Sequence, residues 1–163
     1  MSNLLEVNSL NVQFNYEETT VQAVKNVSFE LRKKHILGIV GESGSGKSIT
    51  AKSILGLLPD YPDHTLTGEI IFNGQSLTNL STSALQQIRG KDISMIFQDP
   101  LSSLNPRLTI GKQITEVLFQ HKRVSKSEAK SMTIDILEKV GIKHATRQFD
   151  AYPHELSGGM RQR

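Results

Sequence analysis

The chain has 163 residues, 37% of them hydrophobic, which is enough for one compact domain with a sizeable core. Nineteen Lys and Arg against 16 Asp and Glu leave a formal charge of +3, too weak an excess for generic binding to nucleic-acid phosphates. Without cysteine the chain forms neither a disulfide nor a Cys-type zinc site, so a reducing cytosol suits it. Its apolar runs are far shorter than the ~20 residues of a transmembrane helix.

The N-terminal part of the chain predicts a half-buried antiparallel sheet. Apolar and polar residues mostly alternate, with the period of a strand that has one covered face, at 5–7, 10–14, 21–24 and 27–31. The run 36–40 is continuously apolar and predicts a strand covered on both faces, as in the parallel sheet of an α/β domain. A glycine-rich turn at 41–46 follows, and then a helix from Lys47 to Leu58 that Pro59 ends.

The middle of the chain predicts turns, a strand and a short helix. Residues 59–68 are rich in turn residues, and 69–72 predicts a strand that runs into an Asn73-Gly74 turn. A short helix is expected over 81–88. The run 93–97 predicts a second fully apolar strand.

The C-terminal part of the chain predicts a helical subdomain. Helices are expected over 110–120 and 126–140, the second capped by Ser125 or Ser127. Residues 107–147 carry nine basic and four acidic residues, a local charge of +5 (9 − 4). A solvated helix face is the simpler interpretation of this charge, and a membrane-proximal surface is the alternative.

A phosphate-binding loop is predicted between the first apolar strand and its helix. The segment Gly41-Glu42-Ser43-Gly44-Ser45-Gly46-Lys47-Ser48 matches the pattern GxxxxGK[ST] in the context that this motif requires. Glycines let backbone N–H groups approach a triphosphate, Lys47 supplies a mobile positive charge, and the Ser48 hydroxyl can ligate Mg²⁺. The alternative is a turn that merely caps a helix, but average residue usage gives the bare pattern in roughly one chain in 200 of this length. Nucleotide binding is therefore predicted.

The remaining motifs resemble those of the ATP-binding cassette family of transporter ATPases. The segment Leu156-Ser157-Gly158-Gly159-Met160-Arg161-Gln162-Arg163 resembles the family's signature segment, and Phe97-Gln98-Asp99-Pro100 resembles its Q-loop. The finer resemblance, over 97–106, 109–111 and 152–161, is to the peptide and nickel import branch.

The resemblance implies an α/β fold, a P-loop cassette with an antiparallel β subdomain and a helical insert. The expected parts are a β subdomain over about 1–35, a P-loop core over 36–99, a helical subdomain over 100–156, and the start of the signature helix over 157–163.

The resemblance also assigns roles to residues. Lys47 and Gln98 take the catalytic roles, while Ser48 and Gln98 contact Mg²⁺. Gln98 is further expected to contact the attacking water and to move when the helical subdomain rotates. An aromatic residue stacks on adenine, for which Phe14 is the first choice and Tyr16 the alternative, although Phe is more often a core residue. The residues implied to bind ATP are Phe14, Gly41, Glu42, Ser43, Gly44, Ser45, Gly46, Lys47, Ser48, Ser157, Gly158 and Gly159.

A second cassette is implied as a partner. Ser157, Gly158 and Gly159 begin a helix, so their N–H groups and the serine hydroxyl can form a second anion site. In the family, residues matching 156–160 close over the γ-phosphate held by the P-loop of another cassette, identical or paralogous, and two ATP molecules are sandwiched.

The resemblance implies an energy-coupling ATPase with ATP and Mg²⁺ as cofactors and no nucleic-acid partner. It would lie peripherally on the cytoplasmic face of the plasma membrane, bound to an integral membrane permease. The permease would import oligopeptides, dipeptides or nickel delivered by an extracytoplasmic substrate-binding protein.

The family places further catalytic elements after the signature, and the chain ends at Arg163, inside the helix that Ser157 is expected to cap. The absent elements are the apolar strand ending in Asp, the adjacent Glu, the D-loop and the switch His. Because a missing base costs ~10²–10⁴-fold in rate, this piece is expected to bind ATP without hydrolysing it. It is also expected to be unstable in isolation, because its apolar strands lack neighbours.

Two other function classes compete with this interpretation. A soluble cassette ATPase acting on nucleic acid or ribosomes usually carries long inserts between P-loop and signature, and here that interval is compact. A small-molecule kinase or GTPase that shares only the P-loop would need an Asn-Lys-x-Asp box or an Arg-rich lid, and neither is present in the sequence.

Overall fold

The computed structural model describes residues 3–58, 63–99 and 103–163. The chain forms two compact units, the first ending at Arg89 and the second beginning at Gly90. Within the described ranges, no helix has the length and apolar character that crossing a bilayer requires.

The first unit is built on a four-stranded antiparallel sheet in the order β2-β1-β3-β4. Its strands are β1 (Asn3–Asn15), β2 (Thr20–Arg32), β3 (Asp63–Phe72) and β4 (Gln75–Ser76). The most deeply buried side chains of this unit are Val7, Leu10 and Val12 on β1 and Ile70 on β3. The predicted antiparallel sheet is confirmed, and the short predicted segments join into two long strands that pair along their whole length.

The third strand starts earlier than predicted. Residues 59–62 lie outside the described part, but the expected turns at 63–68 are wrong because 63–67 pair with the end of β1. Gly68 lies where the β1–β3 register shifts, with a φ of 93°. A Cβ there would lie 2.5 Å from the Ser9 carbonyl oxygen, so only glycine fits this bulge. The predicted Asn73-Gly74 turn is confirmed, with positive φ at both residues.

Two helices accompany the sheet, α1 (Lys47–Ile54) and α2 (Thr82–Ile88). The first ends four residues before the predicted Leu58, because Gly56 takes a left-handed φ of 59° just after the cap. Arg89 donates hydrogen bonds to the Leu55 and Gly56 carbonyl oxygens, both at 2.7 Å, and so satisfies acceptors that the helix leaves free. Pro59, the predicted stop, lies outside the described residues.

Two predicted apolar strands are not formed, so both predictions are wrong for this structure. Residues 36–40 have no strand conformation, and Ile36 is fully exposed. In the run 93–97 only Ile93 makes a bridge, and Ile96 is almost fully exposed. A strand buried on both faces needs ladder partners and covering layers, and the described residues provide neither for these two runs.

The second unit is helical. Its elements are α3 (Ile110–His121), α4 (Lys126–Lys139), α5 (Ala145–Phe149), a 3₁₀ turn (Pro153–Glu155) and α6 (Gly158–Gln162). The core consists of Ile110, Leu137, Ile142, Ala145 and Leu156. The two long predicted helices are confirmed to within one residue, whereas α5 and the 3₁₀ turn were not predicted.

Ser125, rather than Ser127, caps α4. Its hydroxyl accepts from the Glu128 backbone N–H at 3.3 Å, and the Glu128 carboxylate accepts from the Ser125 N–H at 2.8 Å. These two bonds close a capping box. The Ser125 hydroxyl also donates to the Glu128 carboxylate at 2.7 Å, and this bond, followed by the one from the Ser125 N–H, lowers the pKa of the Glu128 carboxyl below its usual value.

Candidate functional site

The glycine-rich loop leads into the start of α1. Gly44 and Gly46 have φ of 81° and 88°, a left-handed conformation that glycine adopts without a steric penalty. A Cβ on Gly46 would collide with the Ala23 carbonyl oxygen, so this glycine lets the loop lie directly against β2. At Gly44 a Cβ would meet no atom within 4 Å apart from the glycine and its two chain neighbours, so the loop is open there.

The start of α1 has no side-chain cap, unlike the starts of α2, α3 and α4. Side-chain caps from Ser81, Thr109 and Ser125 accept a first-turn N–H of α2, α3 and α4. Gly46, the N-cap of α1, has no side chain to offer, and no side-chain cap is present. The first-turn N–H groups of α1 therefore remain available to a bound anion, which the positive end of the helix dipole favours.

The Lys47 side chain folds back over the loop. Its Nζ donates to the carbonyl oxygens of Gly41 at 2.8 Å and Glu42 at 2.6 Å, and lies 3.3 Å from the Ser45 hydroxyl. The loop is also held by a bond from the Ser45 N–H to the Glu42 carbonyl oxygen. The Lys47 cation is thus bound to two carbonyl oxygens, and phosphate oxygens can take their place as acceptors.

The loop fits the triphosphate and the Mg²⁺ that the resemblance implies. It offers uncapped N–H groups and a lysine cation, and the exposed Ser48 is in the first turn of α1. Glu42 and Ser43 are exposed in the same loop. Among the described residues there is no group of three or more His, Asp or Glu that could hold a metal by itself. A magnesium ion here would be shared between the serine hydroxyl and the phosphates.

The two candidates for adenine stacking are placed differently. Phe14 is only 7% exposed and packs in the sheet, its ring centroid 6.0 Å from that of His64. Tyr16 follows the end of β1, and 46% of its surface is exposed. An exposed ring can stack on a base without rearrangement, whereas the Phe14 ring would first have to leave the core.

Gln98 follows the run 93–97 and is exposed. It belongs to the second unit, whereas the glycine-rich loop belongs to the first. Its predicted roles toward Mg²⁺ and water stay predictions.

The signature segment presents an exposed helix start on a buried anchor. Leu156 is 4% exposed and belongs to the core of the second unit. Ser157, Gly158 and Gly159 are exposed, and a Cβ built on either glycine would meet nothing within 4 Å beyond its chain neighbours and its own helix backbone. The Ser157 hydroxyl accepts from the Met160 N–H at 3.3 Å and keeps its own proton to donate. The prediction that a helix begins at these residues is confirmed.

Gln113 is a residue that the sequence did not single out. It accepts from the Asn105 N–H at 2.9 Å and donates to the carbonyl oxygens of Asn105 and Leu108 at 3.1 and 2.9 Å. A single amide on α3 thus fixes the loop that follows the Q-loop. No local signal marks it, because the loop lies up to eight residues away along the chain.

Comparison with known proteins adds independent findings. The sequence profile of the family described as "ABC transporter" matches residues 24–163. The chain is 50% identical over its whole length to the oligopeptide transport ATP-binding protein OppD of Bacillus subtilis (strain 168), covering 46% of that protein. It is 48% identical over its whole length to the dipeptide transport ATP-binding protein DppD of the same organism, covering 49% of it. The chain therefore spans about half the length of the curated relatives it matches.

A solved structure shares the fold. The ATP-binding cassette MJ0796, in a dimeric post-hydrolysis state bound to ADP and Pi, superposes with a TM-score of 0.78 at 25% identity. The match covers 97% of this chain and 65% of that one. The expected cassette fold is confirmed for the part of the cassette that the chain spans.

Proposed function

The chain belongs to the ABC transporter family, and from that premise we propose that it forms the ATP-binding part of an energy-coupling ATPase for the import of oligopeptides or dipeptides. Nickel, the third cargo predicted from sequence, is left out of the proposal because the similar proteins named above are oligopeptide and dipeptide transport ATP-binding proteins. The observation that carries the proposal is the uncapped start of α1 beneath a glycine loop with Lys47 folded over it.

MgATP would be held by the loop 41–48. The uncapped N–H groups of α1 would bind phosphate oxygens, Lys47 would leave the Gly41 and Glu42 carbonyls to bind them too, and Ser48 would ligate Mg²⁺. When bound, the ion neutralises charge on the transferring phosphate. Burial of Phe14 and exposure of Tyr16 support Tyr16 as the residue that stacks on adenine.

Residues 156–160 would act on a second cassette. An exposed Ser-Gly-Gly start with a free hydroxyl proton suits a phosphate brought by another molecule. The dimeric state of the similar cassette supports such a pairing. The partner would be a second cassette, identical or paralogous in sequence. Gln98 would contact Mg²⁺ and the attacking water.

The remaining partners follow from the transport role. An integral membrane permease would bind the ATPase at the cytoplasmic face of the plasma membrane, and an extracytoplasmic binding protein would supply the peptide. This arrangement is supported by similarity to transport ATP-binding proteins over the whole chain.

The test is ATP affinity of the intact protein with Mg²⁺, measured by calorimetry. Lys47→Ala should weaken binding roughly 10- to 100-fold, because hydrogen bonds to charged groups contribute about 1.5–3 kcal/mol. Lys52→Ala, on the same helix but outside the loop, is the matched control and should change affinity less than twofold. Equal affinity of the Lys47 variant and the wild type would refute the proposed site.

A further inference from the structure

The connection between α3 and α4 carries a cluster of exposed cations. Lys122, Arg123 and Lys126 lie within five consecutive positions at the tip of the two packed helices, and we call these three residues the basic turn. Lys130 lies one helical turn beyond Lys126 and is also exposed. The tip of the helical unit thus presents several positive charges to solvent.

The basic turn has no ion-pair partner within 3–58, 63–99 and 103–163. The nearby Glu128 is held by the Ser125 hydroxyl and N–H in the capping box. Lys130 is partly engaged, with its Nζ 3.9 Å from Asp150 and 4.8 Å above the Phe149 ring.

Helix stability does not explain this arrangement. Lys126 is the first residue of α4, where the positive end of the helix dipole disfavours a cation. Lys122, at the end of α3, is favourably placed, so the dipoles account for only one of these two lysines. A charge at an unfavourable position, with no ion pair among the described residues, is available to an external anion.

An exposed aromatic ring accompanies the cations. Phe119 lies three positions before Lys122, in the last turn of α3, and 47% of its surface is exposed. Lys122 is the C-cap of α3 and has an extended backbone, so the ring and the cations share this end of the helix. Peripheral segments that bind the interface of an anionic bilayer combine cations with exposed apolar rings in this way.

We propose that the basic turn and Phe119 dock on the anionic phospholipid surface of the membrane that holds the importer. The inference rests on the proposed peripheral location, but it concerns a contact that needs neither ATP nor the permease. Charge complementarity favours lipid over a protein partner because three unpaired, flexible side chains suit a fluid surface of phosphates. Weak overall charge argues against RNA as the anion.

The experiment is flotation of the intact protein with vesicles of phosphatidylglycerol and phosphatidylcholine at 3:7, and with phosphatidylcholine vesicles. The test variant is Lys122→Gln, Arg123→Gln and Lys126→Gln combined. Each cation near an anionic surface is worth about fivefold in partitioning, so the triple variant should bind the anionic vesicles roughly 100-fold more weakly. Phe119→Ala should weaken binding severalfold at the same charge.

The matched control removes the same charge from other exposed positions of the helical unit: Lys139→Gln, Lys143→Gln and Arg147→Gln combined. ATP affinity, measured on every variant, reports on folding and on the glycine loop, so failure of the proposed ATP site is distinguishable from failure of this inference. The expected result is loss of vesicle binding in the test variant with ATP affinity unchanged.

Three outcomes would overturn the proposal. They are equal weakening by the test and control variants, equal binding to vesicles with and without phosphatidylglycerol, and binding of a short RNA or an acidic protein fragment by the basic turn with no vesicle binding.

Discussion

Leu156 links the core of the helical unit to the signature segment, so shortening it should loosen that unit and leave the glycine loop intact. The side chain is 4% exposed and packs in the cluster formed by Ile110, Leu137, Ile142 and Ala145. Leu156→Ala removes buried methyl and methine groups worth about 2.5 kcal/mol in transfer free energy. Together with the cavity left behind, this should lower the free energy of unfolding of the helical unit by about 3 kcal/mol.

Hydrogen exchange of individual amides in the intact protein measures this loss. The Ile110 and Ile142 amides, bonded to the Ala151 and Leu137 carbonyl oxygens at 2.9 Å, should exchange roughly 150-fold faster in the variant. Amides of β1 and the affinity for ATP should not change. Ile136→Ala removes similar groups from a side chain that is 46% exposed, and it should change exchange severalfold at most. Comparable effects of the two variants, or faster exchange in β1 as well, would refute the reasoning.

Three further predictions concern single side chains. Tyr16→Ala should weaken ATP binding about 10-fold and Tyr16→Phe should restore it in calorimetry, because stacking on a base is worth about 1–3 kcal/mol; no loss in the alanine variant would contradict the stacking role. Gly111→Ala should destabilise the helical unit by about 1–3 kcal/mol in urea unfolding, because its Cβ would lie 2.6 Å from the Phe149 ring; an unchanged midpoint would contradict that packing. The lowered pKa of Glu128 means that its stabilisation of α4 is present above its ordinary pKa of 4.5 and is lost as pH falls through the lower folded value. Ser125→Ala should flatten that acid dependence, measured by amide exchange at the start of α4, and an unchanged slope would contradict the cap.

Local chemistry explains which elements the sequence predicted well. The two long helices of the second unit were placed to within one residue because Thr109 and Ser125 cap them and apolar residues recur with helical spacing. The prediction of a phosphate-binding glycine loop also depends on residues a few positions apart, because its motif and the elements on either side of it are short-range patterns. Such signals depend on residues a few positions apart, and the sequence contains all of them.

Elements that depend on distant partners were predicted less well. The runs 36–40 and 93–97 have the composition of buried strands, but a strand forms only where another supplies its ladder bonds, and apolar composition cannot supply that partner. The start of β3 has the composition of a turn, but here a distant partner is present. Its turn residues are overridden by pairing with β1, which is about 50 residues earlier in the chain.

The choice of cap distinguishes the two anion sites that the sequence predicted. Ser157 satisfies one N–H of its own helix and offers its remaining proton outward, so the signature start is stable before a phosphate arrives. Gly46 leaves the start of α1 without a side-chain acceptor and so forgoes a stabilisation that is typically ~1 kcal/mol for a Ser, Thr, Asp or Asn cap. A phosphate on α1 would replace the missing cap, which couples the ordering of that helix to nucleotide binding. This coupling would suit the proposed ATP-binding role. A serine cap at position 46 would clash with the loop, because its Cβ would collide with the Ala23 carbonyl oxygen.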